Sequence, residues 1–356
     1  MANENLMRAK EGQNDEFYTQ FEDIEKEVNA YLELNPDVFR DKTILLPCDD
    51  PEWSNFTKFF VLNFDYFGLK KLISTCYAME GATPIQPTVF VSQPIEYNAE
   101  KSKTNGKILV LERKTNEQIN HLQWDYLTGN GDFRSEEISA LRNEADIIIT
   151  NPPFSLFREF LAWIVEANKQ FLIIGNMNAV TYREVFPLIK ENQIWYGCSI
   201  SSGDREFGVP EEYPLEAAGW RIDEKGNKYI RVKGVRWFTN LDHGRRHLPL
   251  PLMTKADNIK FSRHTDLREK HAYEQYDNYN AIEVPYTEAI PVDHNGVMGV
   301  PISFLDKYCP EQFELMGITD KGNDLSWLII PGNEKYDRPY LNGKRMYARL
   351  LIRKKQ

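Results

Sequence analysis

The sequence has little cysteine: four residues among 356, at positions 48, 76, 198 and 309, with no CxxC pair and no short Cys/His spacing. A structural metal is therefore not expected, and the thiols are expected to be reduced. No run of eighteen or so apolar residues occurs, and the stretch from Met1 to Gln20 is polar and acidic with no apolar signal core. A soluble, cytoplasmic protein is the expectation. No internal repeat is apparent.

What is present is a chain able to bury a sizeable core. Apolar residues make up 42% and charged residues 27%, a globular rather than disordered balance. The length suggests one large α/β domain with an appended part, or two domains. The formal net charge is -10, which taken alone argues against a nucleic-acid partner. Charge sign is a local property, however. From Lys228 to Lys270 there are eleven Lys/Arg against four Asp/Glu, and from Lys335 to Lys355 eight against one. Each stretch carries +7, so the rest of the chain sums to -24. Two basic stretches on an acidic protein suit a polyanion-binding face, and each alone also suits a solvated surface.

The apolar patterning predicts an open α/β domain. A helix is expected over 15–34, with Asp15 as cap and Pro36 as stop. A strand is expected at Thr43 to Pro47, a helix from Glu52 to Phe67 led by Pro51, and a strand at Lys71 to Tyr77. Strand, helix, strand in that order implies a right-handed crossover and parallel pairing. Residues 80–107 read as an insertion or hairpin. Strands resume at Lys107 to Leu111 and Asp146 to Thr150, followed by a helix from about Leu156 to Ala167 and a strand at Gln170 to Gly175. In such a domain the ligand crevice lies outside the carboxyl ends of the strands. Val235 to Asn240 reads as a further strand, and Gly296 to Thr319 as short helix and loop.

The most informative segment is Asn151-Pro152-Pro153-Phe154, directly after an apolar strand. Two prolines remove two backbone donors and extend the turn. An amino group on an aromatic ring is a poor nucleophile because its lone pair is delocalised. The Asn151 amide oxygen and the Pro152 carbonyl, each accepting one of its hydrogens, favour localisation of that lone pair, and Phe154 offers a face for a base. An ordinary proline-rich loop is the competing reading.

Phe17-Tyr18-Thr19, the strand with its acidic turn at Asp49-Asp50, Gly131-Asp132-Phe133, and Asn151-Pro152-Pro153-Phe154 follow one another in the order found in S-adenosylmethionine-dependent DNA methyltransferases acting on the N6 of adenine. Asn14 to Gln20, Pro47 to Pro51 with Trp53-Ser54-Asn55, and Gly296 to Phe304 resemble the EcoRI-type adenine-specific methyltransferase family over about residues 8–330.

The resemblance implies a Rossmann-like S-adenosylmethionine-dependent methyltransferase fold with a C-terminal target-recognition part. Residues 1–200 would form the cofactor-binding and catalytic domain, and 201–356 the remaining catalytic strands and the recognition region. It implies cofactor contacts from Phe17, Tyr18, Thr19, Asp49, Asp50, Asp132 and Phe133, with Asp132 accepting the cofactor's adenine amino group. Asn151, Pro152, Pro153 and Phe154 would receive a flipped adenine. Trp237 or Phe238 would help hold that base, although two strand-packing aromatics read equally well. Arg245, Arg246, Lys255, Lys260, Arg263 and Arg268 are candidates for contacts to double-stranded DNA. The resemblance allows a cognate restriction endonuclease function in the same host, whose presence the sequence does not reveal, and it implies no stable protein partner and no membrane.

Two departures stand out. Pro47-Cys48-Asp49-Asp50-Pro51 replaces the glycine-rich loop common after the first strand, and the second strand ends in Cys76-Tyr77 with Glu80 just beyond, which leaves the ribose-binding acid unassigned. Asp49 and Asp50 also suit a plain helix-capping role. Methylation of an RNA base or a protein glutamine, and a catalytically dead DNA-binding relative, are the alternatives.

Overall fold

The computed structural model describes residues 18–78, 94–113, 122–201, 204–209, 215, 219–269, 271–320, 323–332 and 338–355. Asp15, Phe17 and the 80–93 part of the expected insertion lie outside them. The chain divides into two compact units, Met1–Asn176 with Gly197–Asp242, and Met177–Tyr196 with His243–Gln356. Residues 201–242 thus belong with the first unit. Among the described residues no helix is long and apolar enough to cross a membrane.

The strands of the first unit are β1 (Tyr18–Thr19), β2 (Thr43–Leu46), β3 (Lys71–Cys76), β4 (Lys107–Glu112), β5 (Trp124–Tyr126), β6 (Ile147–Thr150) and β7 (Gln170–Asn176). After β8 (Trp195–Tyr196), which falls in the second unit, come β9 (Asp204–Val209), β10 (Trp220–Ile222), β11 (Lys228–Lys233) and β12 (Val235–Thr239). The large sheet runs β5-β4-β3-β2-β6-β7-β12 through the first unit. β2 pairs in parallel with β3 and β6, and β6 with β7. Every residue of β2 and β6 is buried, the continuous apolar run of a strand covered on both faces. β4 joins the edge antiparallel to β3, and β12 pairs antiparallel with β7.

This order makes β2 the turning point of the sheet. The chain moves from β2 to β3 on one side and reaches β6 on the other, so a topological switch falls between β2 and β6. That is where an open α/β sheet leaves a crevice at its carboxyl ends. Asp49 and Asn151 follow those two strands.

Two helices differ from the sequence expectation. The first spans Phe21–Leu34, because Tyr18 and Thr19 pair as β1 with β9 and leave no room for a helix start at Asp15. The second spans Asn55–Leu62 rather than Glu52 to Phe67. Its cap is Ser54, whose hydroxyl accepts from Phe56 N at 3.0 Å and Thr57 N at 3.4 Å, an arrangement stabilising by about 1 kcal/mol. Beyond Leu62 the chain turns with Phe64 and Phe67 buried, and reaches Gly68 at φ 67, which closes a turn rather than a helix. The core packs Phe39, Phe56, Phe59, Phe60, Ile44, Ile147, Leu172 and Trp237 around the sheet.

The second unit contains a mixed sheet of β13 (Ala281–Glu283), β14 (Val297–Val300), β15 (Phe313–Ile318) and β18 (Leu350–Lys354), ordered β13-β14-β18-β15. Between β15 and β18, β16 (Tyr340–Leu341) and β17 (Lys344–Arg345) form a hairpin. Asn342 and Gly343, both at positive φ, make the tight Asn-Gly turn that such hairpins favour. The expectation of short helix and loop over Gly296 to Thr319 is corrected: β14 and β15 flank a short 3-10 helix, Ile302–Lys307. Inside this unit Arg349 forks onto the buried Glu283 carboxylate at 2.8 and 3.2 Å, and the Tyr276 hydroxyl donates to the same carboxylate.

Candidate active site

The turn that leaves β2 is built around one buried carboxylate. Asp49 is 5% exposed. Its Oδ1 accepts from Ser54 Oγ at 2.7 Å and its Oδ2 from Thr150 Oγ1 at 2.6 Å, while its backbone N–H donates to Thr75 O at 2.8 Å. One residue therefore joins the carboxyl ends of β2, β3 and β6. Burial pushes its pKa up to about 7 against the opposing effect of the two hydroxyl donors, and the neighbouring Asp50 charge adds to the rise. Both oxygens are engaged within the protein, so Asp49 positions this region.

Asn151 follows Thr150 directly and is half-buried, Pro152 is buried, and Phe154 opens a short 3-10 turn, Phe154–Leu156, that leads into the helix Phe157–Glu166. The ring of Phe154 meets that of Phe207 on β9 edge-on, with centroids 6.4 Å apart. The motif thus stands at the switch point, with a fixed strand behind it and a helix ahead.

Tyr18 and Thr19 approach the same end of the sheet. Asn55 Nδ2 donates to Thr19 O at 2.8 Å, and the ring of Tyr18 packs edge-on against Trp53 at 4.3 Å. Thr19 is buried, and its Oγ1 has no hydrogen-bond partner among the described residues. A buried orphan hydroxyl is costly, which marks a place for a polar ligand group.

Asp50 has a different setting. Its Oδ1 accepts from Glu52 N at 2.8 Å, and its Oδ2 accepts from Lys107 Nζ at 2.9 Å and from Cys76 Sγ at 3.4 Å. Lys107 also donates to the Glu52 carboxylate. Burial works against the Lys107 ammonium, but Asp50 and Glu52 outweigh it and hold its pKa above the usual range. Burial, reinforced by the Asp50 charge, keeps the Cys76 thiol well above its ordinary pKa. Tyr77, next along the chain, is exposed, with Asn130 Nδ2 donating to its hydroxyl at 3.5 Å.

The loop holding Gly131, Asp132 and Phe133 lies against the end of β3: Ala78 N donates to Asn130 O at 2.8 Å, and a Cβ at Gly131 would collide with Cys76 O. Gly131 has φ 81, so both space and conformation require glycine there. Within the described residues Asp132 and Phe133 are engaged as follows. Arg134 takes both Asp132 oxygens, at 2.9 and 2.7 Å, which also holds the carboxyl below its usual range. The Phe133 ring is buried against Phe160 and Trp163, at 5.1 and 5.6 Å.

Trp237 and Phe238, named both as holders of an extruded base and as strand-packing aromatics, sit inside the sheet. Both rings are buried. Trp237 packs on Phe56 and donates its indole N–H to Ser199 Oγ at 3.1 Å, and Phe238 packs on Phe157 at 5.0 Å. They are core residues of β12.

The basic candidates of the second unit divide by environment. Arg245, Lys260, Arg263 and Arg268 are exposed, and Lys255 is half-buried with its ammonium 3.0 Å from His294 Nδ1. Arg263 pairs with Glu288 at 3.1 Å. Arg246 is buried, its guanidinium 3.4 Å from the centre of the Trp195 ring and bonded to Asn192. In the C-terminal basic stretch Arg338, Arg349 and Arg353 pair with Asp320, Glu283 and Glu314, which removes much of its apparent excess.

Three contributors escaped the sequence reading. Lys107 was legible only as the start of a strand. Tyr77 was named only as a strand end ahead of an unassigned acid. Glu27, at a helical core position, is fully buried and accepts from Cys198 N at 2.8 Å, Ser199 N at 2.6 Å and Tyr31 Oη at 2.8 Å. A glutamate amid the apolar stripe Ile24, Val28 and Tyr31 was its one available signal.

The family model described as adenine-specific methyltransferase EcoRI matches residues 5–355. The chain is 44% identical over 344 residues to the Type II methyltransferase M.EcoRI of Escherichia coli, covering 97% of this chain and 98% of the relative. It is 35% identical over 358 residues to the Type II methyltransferase M.MpnI of Mycoplasma pneumoniae, covering 98% of each. It is 34% identical over 355 residues to the Type II methyltransferase M.MgeORF184P of Mycoplasma genitalium, again covering 98% of each. No solved structure matches significantly.

Proposed function

Because the chain belongs to the EcoRI family of adenine-specific methyltransferases, we propose that it methylates the N6 amino group of an adenine in double-stranded DNA, with S-adenosylmethionine as donor. The observation that carries this reading is the position of Asn151-Pro152-Pro153-Phe154 at the switch point of the sheet, fixed from behind by the bond between Thr150 and Asp49.

The residues around the motif fit the donor at its amino-acid end. The buried Thr19 hydroxyl, without a hydrogen-bond partner among the described residues, lies beside Asn55 and the Tyr18–Trp53 ring pair, where it would hydrogen-bond a polar group. The Asp49-Asp50 turn would border the same group, with Asp49 held by Ser54 and Thr150 and Asp50 by Lys107. At the adenine end, Tyr77 is the exposed ring, since Phe133 is in the core and Asp132 is held by Arg134. When bound, S-adenosylmethionine supplies a methyl group already activated on a sulfonium.

The protein's task is then positioning. The adenine has to leave the duplex stack, because its amino group is out of reach inside it. The Asn151 amide oxygen and the Pro152 carbonyl accept the two amino hydrogens and favour a lone pair directed away from the ring. Phe154 receives the base on its flat face. Asn151 is neutral and takes no proton, so the proton released from nitrogen leaves after transfer. Arg245, Lys255, Lys260, Arg263 and Arg268 provide phosphate and base contacts.

The test is a parallel incubation of the protein with labelled S-adenosylmethionine and DNA, RNA or protein, followed by identification of the modified nucleoside or side chain. N6-methyladenine in DNA is the expected product. Label in RNA or in glutamine, with none in DNA, contradicts the reading.

A further inference from the structure

One cross-strand row in the small antiparallel sheet β1-β9-β11-β10 runs from the motif to solvent. Thr19 on β1 stands opposite Phe207 on β9, Phe207 opposite Ile230 on β11, and Ile230 opposite Trp220 on β10. Directly opposed residues of antiparallel strands project from one face, so these four share it. Thr19, Phe207 and Ile230 are 4%, 2% and 2% exposed, whereas Trp220 is 49% exposed. Phe154 packs against the second member of the row. At about 4.8 Å per strand, Trp220 lies about 10 Å from Phe207, too far to share a base resting on Phe154.

Ile222 stands on the same face as Trp220, opposite Lys228, and is 50% exposed. The hairpin from Gly219 to Gly234 holds Arg221, Lys225, Lys228, Arg231 and Lys233 against Asp223 and Glu224. Arg221 is paired with Glu206, while Lys225, Arg231 and Lys233 are exposed. An exposed tryptophan and isoleucine on a basic hairpin suit duplex DNA, whose phosphates attract cations and whose base steps admit apolar wedges.

We propose that Trp220 is a DNA-contacting residue whose ring, with Ile222 beside it, takes over the stacking that the target adenine gives up when it leaves the duplex. This rests on the proposed adenine methylation. Extrusion unstacks a base, and an aromatic face that replaces the lost stacking lowers the cost of the extruded state. The buried part of the row anchors β10 to the strand that backs Phe154, so the replacement ring is held at a fixed offset from the catalytic motif.

The test uses two duplexes containing the target site, one with 2-aminopurine replacing the target adenine as a fluorescent reporter of unstacking and one with the adenine itself for turnover. Wild type is compared with Trp220→Ala, Trp220→Phe and Ile222→Ala. Trp220→Ala is expected to lose most of the fluorescence rise and to lower kcat/KM by about tenfold to a hundredfold. Trp220→Phe is expected to restore most of both, with cofactor affinity and melting temperature unchanged throughout. Wild-type fluorescence and turnover in Trp220→Ala overturn the inference while leaving the methylation reading intact. A lowered melting temperature in Trp220→Ala also overturns it, in favour of a packing role. Absence of DNA methylation by the wild-type protein overturns the functional reading and the inference together.

Discussion

Thr150 donates its hydroxyl hydrogen to Asp49 Oδ2 at 2.6 Å, tying the residue before Asn151 to the turn that leaves the neighbouring strand. A valine at 150 keeps the shape and removes the bond. Thr150→Val is expected to lower kcat about tenfold through loss of alignment while DNA affinity changes little. Steady-state kinetics with a separate DNA-binding titration check this.

The same carboxyl sets a pH dependence. Burial raises the pKa of Asp49 from 3.8 to about 7 in the folded protein. Between those values the folded state holds a proton that the unfolded state has lost, so stability falls as pH rises from about 4 to 7 and then levels off. The slope from this one group is at most about 1.4 kcal/mol per pH unit. Denaturant titrations of wild type and Asp49→Asn across that range are expected to differ by this slope, with the asparagine variant flatter.

Glu27 holds the 198–199 backbone to the first helix. Removing its carboxylate in Glu27→Ala leaves the N–H groups of Cys198 and Ser199 and the Tyr31 hydroxyl without their acceptor. At about 1–3 kcal/mol per buried unsatisfied group, a loss of at least about 3 kcal/mol is expected, read from urea unfolding.

The two adjacent arginines 245 and 246 separate binding from packing. Arg245 is exposed and Arg246 is buried on the Trp195 ring. Arg245→Ala is expected to weaken DNA binding and reduce the slope of log affinity against log salt by about 1. Arg246→Ala is expected to lower stability by about 2 kcal/mol through the lost ring and hydrogen-bond contacts. Salt-dependent binding curves and melting curves distinguish them.

The strands that flank the site were legible because β2 and β6 are short apolar runs ending in turn residues, and the Asn-Pro-Pro-Phe segment is chemically distinctive. Asp49 was legible as a site residue but not as a buried bridge, since its partners Ser54 and Thr150 meet it only when two strand ends come together. Trp237 and Phe238 read equally well as base holders and as strand-packing aromatics because sequence does not tell which face of β12 is covered, and in the fold both rings are buried. The ion pair of Asp132 with Arg134, two residues on, went unread because a turn sequence does not show which way its side chains fold. Charge counting along the chain misses partners such as Glu283 and Glu314 that folding brings to the basic stretch from elsewhere.

The central claim is that Asn151 directs methyl transfer to the adenine amino group. Wild type and Asn151→Ala, matched for melting temperature and DNA affinity, are incubated with labelled S-adenosylmethionine and DNA, and the DNA is digested to nucleosides. The account predicts N6-methyladenine from wild type and a loss of at least about a hundredfold in the variant; near-normal transfer by Asn151→Ala, or label on a nucleoside other than adenine, would contradict it.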